Sequence, residues 1–138
     1  MSKPRIAWYG VSGRDNFYLL CLRRLENVFE VRCFESVEKF DDEPGEDNPV
    51  MQIAKFNPHM VIINDTGNGL QLLGKLRERI HFLTVVISLF YEDSTTRAQL
   101  RQAGIADWQI INERITADSF AEELKRFKQL HIDKIALD

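Results

Sequence analysis

A chain of 138 residues has room for one domain and one continuous core, and 44% hydrophobic with 28% charged residues is the composition of a compact globular protein, not of a disordered segment. The formal net charge of -3 gives no general attraction to phosphate polymers. No stretch approaches the ~20 apolar residues that cross a bilayer. Met1-Ser2-Lys3-Pro4-Arg5 leads straight into a strand-like run instead of a signal-peptide apolar region, so the expected location is the cytoplasm. Cys21 falls on an apolar helical face and Cys33 in an alternating strand. With two Cys and no metal-ligand spacing, both are expected to be reduced packing residues.

The first apolar run, Ile6-Ala7-Trp8-Tyr9-Gly10-Val11, is short, β-prone and closed by Ser12-Gly13, which predicts a buried strand. Asp15 or Asn16 can cap the next segment, where Phe17, Leu20, Cys21, Leu22 and Leu25 recur at helical spacing. Glu30-Val31-Arg32-Cys33-Phe34 alternates polar and apolar residues, the pattern of a strand with one wet face near a sheet edge. Phe40 to Asn48 contains Asp41-Asp42-Glu43-Pro44-Gly45-Glu46-Asp47, whose five carboxylates, Pro and Gly predict a surface loop without the ligand periodicity of a calcium loop.

Pro49 can open a short helix through Met51, Ile53, Ala54 and Phe56 that Asn57-Pro58 ends. His59 to Ile63 is nearly all apolar and predicts a central parallel strand covered on both faces, followed by the turn Asn64-Asp65-Thr66-Gly67-Asn68-Gly69. Leu70, Leu72, Leu73, Leu76 and Ile80 mark an amphipathic helix, and Phe82 to Phe90 a buried strand. Ser94 can cap a helix that Gly104 terminates, and Trp108-Gln109-Ile110-Ile111 predicts a fifth strand. Thr116 or Asp118 can cap the last helix, with Phe120, Leu124, Phe127 and Leu130 on one face; Lys125, Arg126 and Lys128 lie among acids, as on a solvated helix face. From His131 onward no period is visible. Strands alternating with helices predict an α/β fold: a doubly wound five-stranded parallel sheet with helices on both faces.

Two stretches add a resemblance. Asn57-Pro58-His59-Met60-Val61-Ile62-Ile63-Asn64 is similar to the segment entering the third strand of response-regulator receiver domains, and Arg97 to Trp108, with Ala103-Gly104-Ile105-Ala106-Asp107-Trp108, resembles their fourth helix and the turn into the fifth strand. The resemblance implies the CheY-like, flavodoxin-like strand order 2-1-3-4-5. It covers residue 5 to about 131, so the expected division is a receiver-like domain at 1–131 and a tail at 132–138.

A working receiver needs a nucleophilic Asp, acids that hold Mg²⁺, and a Lys that pairs with phosphate. By resemblance the acidic pair falls on Tyr9 and Gly10, and the acceptor on Asn64, with Asp65 one residue on. The phosphate-sensing hydroxyl falls on Leu89 counted back from Gly104, or on Ser88 if the register slips by one, and the lysine near Ile111 and Asn112. Trp108 stands where receivers place an aromatic switch; it can face a partner or pack on the last helix. Asn64, Asp65 and Asn68 also suit plain turn satisfaction.

These departures point to a pseudo-receiver, neither an enzyme nor a cofactor or metal binder. It is expected to meet a protein partner or a second copy, as a homodimer, through the fourth helix, fifth strand and fifth helix, and to bind neither nucleic acid nor membrane. Two alternatives stand beside it. One is a receiver phosphorylated at Asp65; the other is a flavodoxin-like FMN binder using Gly10 to Asp15 and Asn64 to Gly69.

Overall fold

Strands of three to six residues, each followed by a helical segment, pair with parallel neighbours. The computed structural model describes residues 3–36, 48–64, 66–80, 83–89, 94–112 and 116–133, without the side chains of residues 66, 67, 89, 94 and 112. In chain order these form β1 (Arg5–Tyr9), α1 (Asn16–Leu25), β2 (Glu30–Phe34), α2 (Pro49–Phe56), β3 (Met60–Ile63), α3 (Thr66–Arg77), β4 (Thr84–Leu89), α4 (Ser94–Gln102), β5 (Ile110–Asn112) and α5 (Ala117–Phe127). The sheet is parallel throughout, as the patterning predicted, and its order is β2-β1-β3-β4-β5, as the resemblance implied.

Strand alternation sorts the core into two layers. Ile6, Trp8, Met60, Ile62, Val86 and Ile111 face α1 and α5, where Cys21, Leu25, Phe120, Leu124 and Phe127 complete one cluster. Ala7, Tyr9, Val61, Ile63, Val85 and Ile87 face α2, α3 and α4 and pack on Ile53, Leu72, Leu76 and Leu100. β1 and β3 are central and buried on both faces, whereas β2 exposes Glu30 and Arg32 at the edge.

Local chemistry sets the helix ends. The Asp15 carboxylate accepts from the Tyr18 N–H at 2.9 Å, Asn48 Oδ1 from the Val50 N–H at 2.8 Å with Pro49 in the first turn, and Thr116 Oγ1 from the Ser119 N–H at 3.1 Å. Asn57, at φ 53°, ends α2 in a left-handed conformation, and Gly104, at φ 85°, does the same after α4. Cys21 is buried and Cys33 half-buried.

Three sequence expectations are corrected. Leu20 is 45% exposed, because Tyr18, Cys21 and Leu25 take the buried face of α1 and Leu20 lies about 100° around the helix from Cys21. The fifth strand begins at Ile110; Asp107–Gln109 form a 3-10 turn, held where Gln109 Oε1 accepts from the Ala106 N–H (2.8 Å) and its Nε2 donates to the Val85 carbonyl (3.2 Å). Leu130 is 53% exposed, because α5 passes into a π-helical turn, Lys128–Ile132, whose wider spacing turns Leu130 outward and brings Ile132 into the core. The predicted acidic loop lies outside the described residues. Among the described residues no helix is long and apolar enough to cross a membrane.

Candidate functional site

In parallel α/β sheets, ligands gather at the carboxyl ends of the strands, so the tips of β1, β3, β4 and β5 define the candidate site. Tyr9 pairs with Ile63, Ile63 with Ile87, and Ser88 with Ile111. Carrying the register one residue past the end of β3 aligns Gly10, Asn64, Ser88 and Ile111 in one cross-strand row. By strand alternation this row points toward α1 and α5. Tyr9 falls in the opposite parity, toward α2 and α3. Within this row Ser88 is fully buried. Asp65 and the side chains of Leu89 and Asn112 lie outside the described residues.

Asn64 is tied to the core by a residue the sequence did not single out. The indole N–H of Trp8 donates to Asn64 Oδ1 at 2.9 Å. Trp8 is completely buried, stacked on Phe120 (5.4 Å between ring centroids, 11° between planes) and met edge-on by Tyr18 (5.3 Å, 76°). Each such ring pair contributes about 0.5–1.5 kcal/mol beyond area burial, so the donor that holds Asn64 sits in a stiff aromatic stack. A Trp in a central strand needs a partner for its one polar atom, a signal that could have led from Trp8 to a nearby acceptor.

The remaining polar groups also have work within the fold. The Tyr9 hydroxyl donates to Asn68 Oδ1 at 3.3 Å, on the α2 and α3 side. Gly10 adopts φ 92°, and its N–H donates to the Phe34 carbonyl at 2.8 Å, locking the β1 tip to β2. Asp15 caps α1, and the Ser12 hydroxyl accepts from the Arg14 N–H at 3.2 Å. Burial, followed by the Cys33 thiol beside it, holds the Tyr18 phenol well above its ordinary range, so it stays neutral. Among the described residues no buried side-chain polar atom lacks a hydrogen-bond partner. Chemically the row offers a backbone turn, an amide, a hydroxyl and an alkyl group. None of these carries charge.

Trp108 stands apart from the row. One face stacks on His131 (4.4 Å, 18°) and its edge meets Phe127 (5.8 Å, 74°), yet Trp108 is 48% exposed. It thus packs on the extension of α5 and also presents a face to solvent, with exposed Leu130 one residue from its stacking partner.

The sequence matches no protein-family model and no curated protein. Solved structures match along almost the whole chain. A response regulator from Thermotoga maritima is 20% identical with a TM-score of 0.65, covering 91% of this chain and 97% of that one. An orphan response regulator of H. pylori is 14% identical with a TM-score of 0.66, covering 89% and 94%. The response regulator DrrB of Thermotoga maritima, an OmpR/PhoB homologue, is 16% identical with a TM-score of 0.63, covering 93% of this chain. This chain spans about half of DrrB, 54% of its length. The fold is that of response-regulator receivers.

Proposed function

We propose that this chain, on a receiver fold, is a cytoplasmic signalling module that acts through its surface and takes up no phosphate. The observation that carries the reading is the bond from buried Trp8 to Asn64. At the acceptor position stands an amide, less nucleophilic than a carboxylate, with its oxygen engaged by the core. Gly10 beside it supplies no carboxylate for Mg²⁺, and Ile111 supplies no cation for phosphate. On this reading the module catalyses nothing itself and holds no cofactor. It meets a protein partner or a second copy on the face of α4, β5 and α5, where Trp108 and Leu130 leave apolar surface in solvent.

The test is intact-mass spectrometry after incubation with Mg²⁺ and acetyl phosphate or phosphoramidate. The mass is expected to stay that of the untreated chain. Asn64→Asp should also stay unmodified, because a carboxylate restored alone has neither metal-holding acids nor a cation beside it. Gain of one phosphoryl group by the parent chain, with Asp65 as the modified residue, overturns the reading.

A further inference from the structure

β2 is an edge strand, with β1 on one side and, among the described residues, no strand on the other. The Glu30 N–H donates to the Pro4 carbonyl at 2.9 Å, and the Phe34 carbonyl accepts from the Gly10 N–H at 2.8 Å. Glu30, Arg32 and Phe34 therefore spend their backbone groups on β1, and by strand alternation the N–H and C=O of Val31 and Cys33 point out of the sheet edge. Among the described residues no backbone group pairs with them. Such a row is a template for a further strand.

The flank of this edge is apolar. One side of α1 faces α5, where Phe17 meets Phe120 and Arg24 pairs with Asp118. On the other side of α1, Leu22 and Glu26 line a cleft of about 480 Å³ with Lys3, Phe29, Glu30 and Val31. Leu19 precedes Leu22 by three residues, so it lies on that same side, and it is 39% exposed. Leu19, with half-buried Leu22, Val31 and Cys33, thus leaves an incompletely covered apolar strip directly beside the unpaired backbone groups.

Charge decides what fits there. Glu30 and Arg32 are both exposed and stand on one face of β2, two residues apart and opposite in sign. Charges on an edge normally deter pairing, but two identical strands running antiparallel can match them. Centred on Val31, such a pair sets Glu30 opposite Arg32 of the second copy and Arg32 opposite its Glu30. The same register joins the outward N–H and C=O of the two Val31 residues to each other. Centring on Arg32 sets like charges opposite each other, and centring on Cys33 sets Arg32 against Phe34 and Glu30 against Ser36, with neither charge matched.

We propose that β2 pairs antiparallel with β2 of a second copy, about Val31, and joins two five-stranded sheets into one. The contact is isologous and closes as a two-fold dimer. Its axis stands perpendicular to the sheet, so both α1 helices lie on one face and close over the junction with Leu19 and Leu22. This goes beyond the functional reading, because β2 and β5 are opposite edges and the face of α4, β5 and α5 stays free for a different protein.

The experiment is sedimentation velocity of the full chain over a range of concentrations, with Glu30→Arg, Arg32→Glu, the double variant carrying both, and Trp108→Ala. The parent should dimerise. Each single charge variant sets like charges against each other at both matched positions and should weaken the dimer roughly tenfold. The double variant, with the pair swapped, should associate like the parent, and so should an equimolar mixture of the singles. Trp108→Ala should leave the dimer unchanged. A monomeric parent overturns the proposal. So does a single charge variant that associates like the parent, and so does failure of both the double variant and the mixture to recover. A dimer lost in Trp108→Ala and kept in the charge variants overturns it too, by moving the contact to the other edge. Phosphoryl uptake is read separately by mass, so failure of this pairing and failure of the functional reading are distinguishable.

Discussion

Asn64 takes its meaning from what touches it. An amide at the end of an apolar strand is visible in the sequence, and so is its lack of a carboxylate's nucleophilicity. The donor that fixes it is not visible, because Trp8 is 56 positions away and meets it only when β1 and β3 pair in register. Trp8→Phe removes the N–H, leaves Asn64 Oδ1 without its donor and loosens the stack on Phe120. A loss of about 1–3 kcal/mol is expected in urea unfolding. Adding Asn64→Leu should recover part of that loss, since removing both partners of a hydrogen bond costs less than orphaning one. If the double variant equals the sum of the singles, the two residues are not coupled.

Within an element, two residues of one kind can have opposite consequences. α3 carries Gly69 and Gly74 five positions apart, and nothing in the local sequence separates them. A Cβ at Gly69 would lie 2.4 Å from Ile63 Cγ2, whereas one at Gly74 meets nothing within 4 Å. Gly69→Ala must push α3 off β3 or force Ile63 from its rotamer, and is expected to cost about 1–3 kcal/mol. Gly74→Ala, on the exposed side of the same helix, should stabilise by about 0.5–1 kcal/mol through better helix propensity. Thermal melts of the two variants should shift in opposite directions; equal shifts would refute this account of the packing. The end of α5 is a similar case. Its apolar spacing predicts an α-helical continuation through Leu130, but the Lys128–Asp133 ion pair at 2.9 Å and the Trp108–His131 stack accompany a π-helical turn.

At the scale of the whole molecule, stability should depend on pH through His59. Its Nδ1 accepts the Arg5 N–H at 3.0 Å, joining the start of β1 to the residue before β3. Burial first, and then Arg5, lowers the His59 pKa from its ordinary 6.5. The unfolded chain therefore binds a proton at a pH where the folded one does not, so the contribution is present above 6.5 and is lost as pH falls through that value toward the folded pKa. Urea midpoints should drop between about pH 7 and about pH 5, and His59→Gln should flatten that part of the curve. An unchanged slope in the variant would assign the pH dependence to other groups.

The sequence alone determined the element order and the sheet class, because parallel strands buried on both faces must be nearly continuous apolar runs and must be joined by helices. It also determined that Tyr9, Gly10, Asn64 and Ile111, the positions the resemblance gives to a receiver's acids, acceptor and lysine, carry no charge, since residue chemistry does not depend on packing. The burial of Ser88, the capture of Asn64 by Trp8, the solvent face of Trp108 and the outward turn of Leu130 were decided only by the tertiary structure. Each depends on a register or a rotation about a helix axis, and a shift of one residue there moves a side chain to the other side of its element. Local pattern leaves that shift open, and long-range pairing settles it.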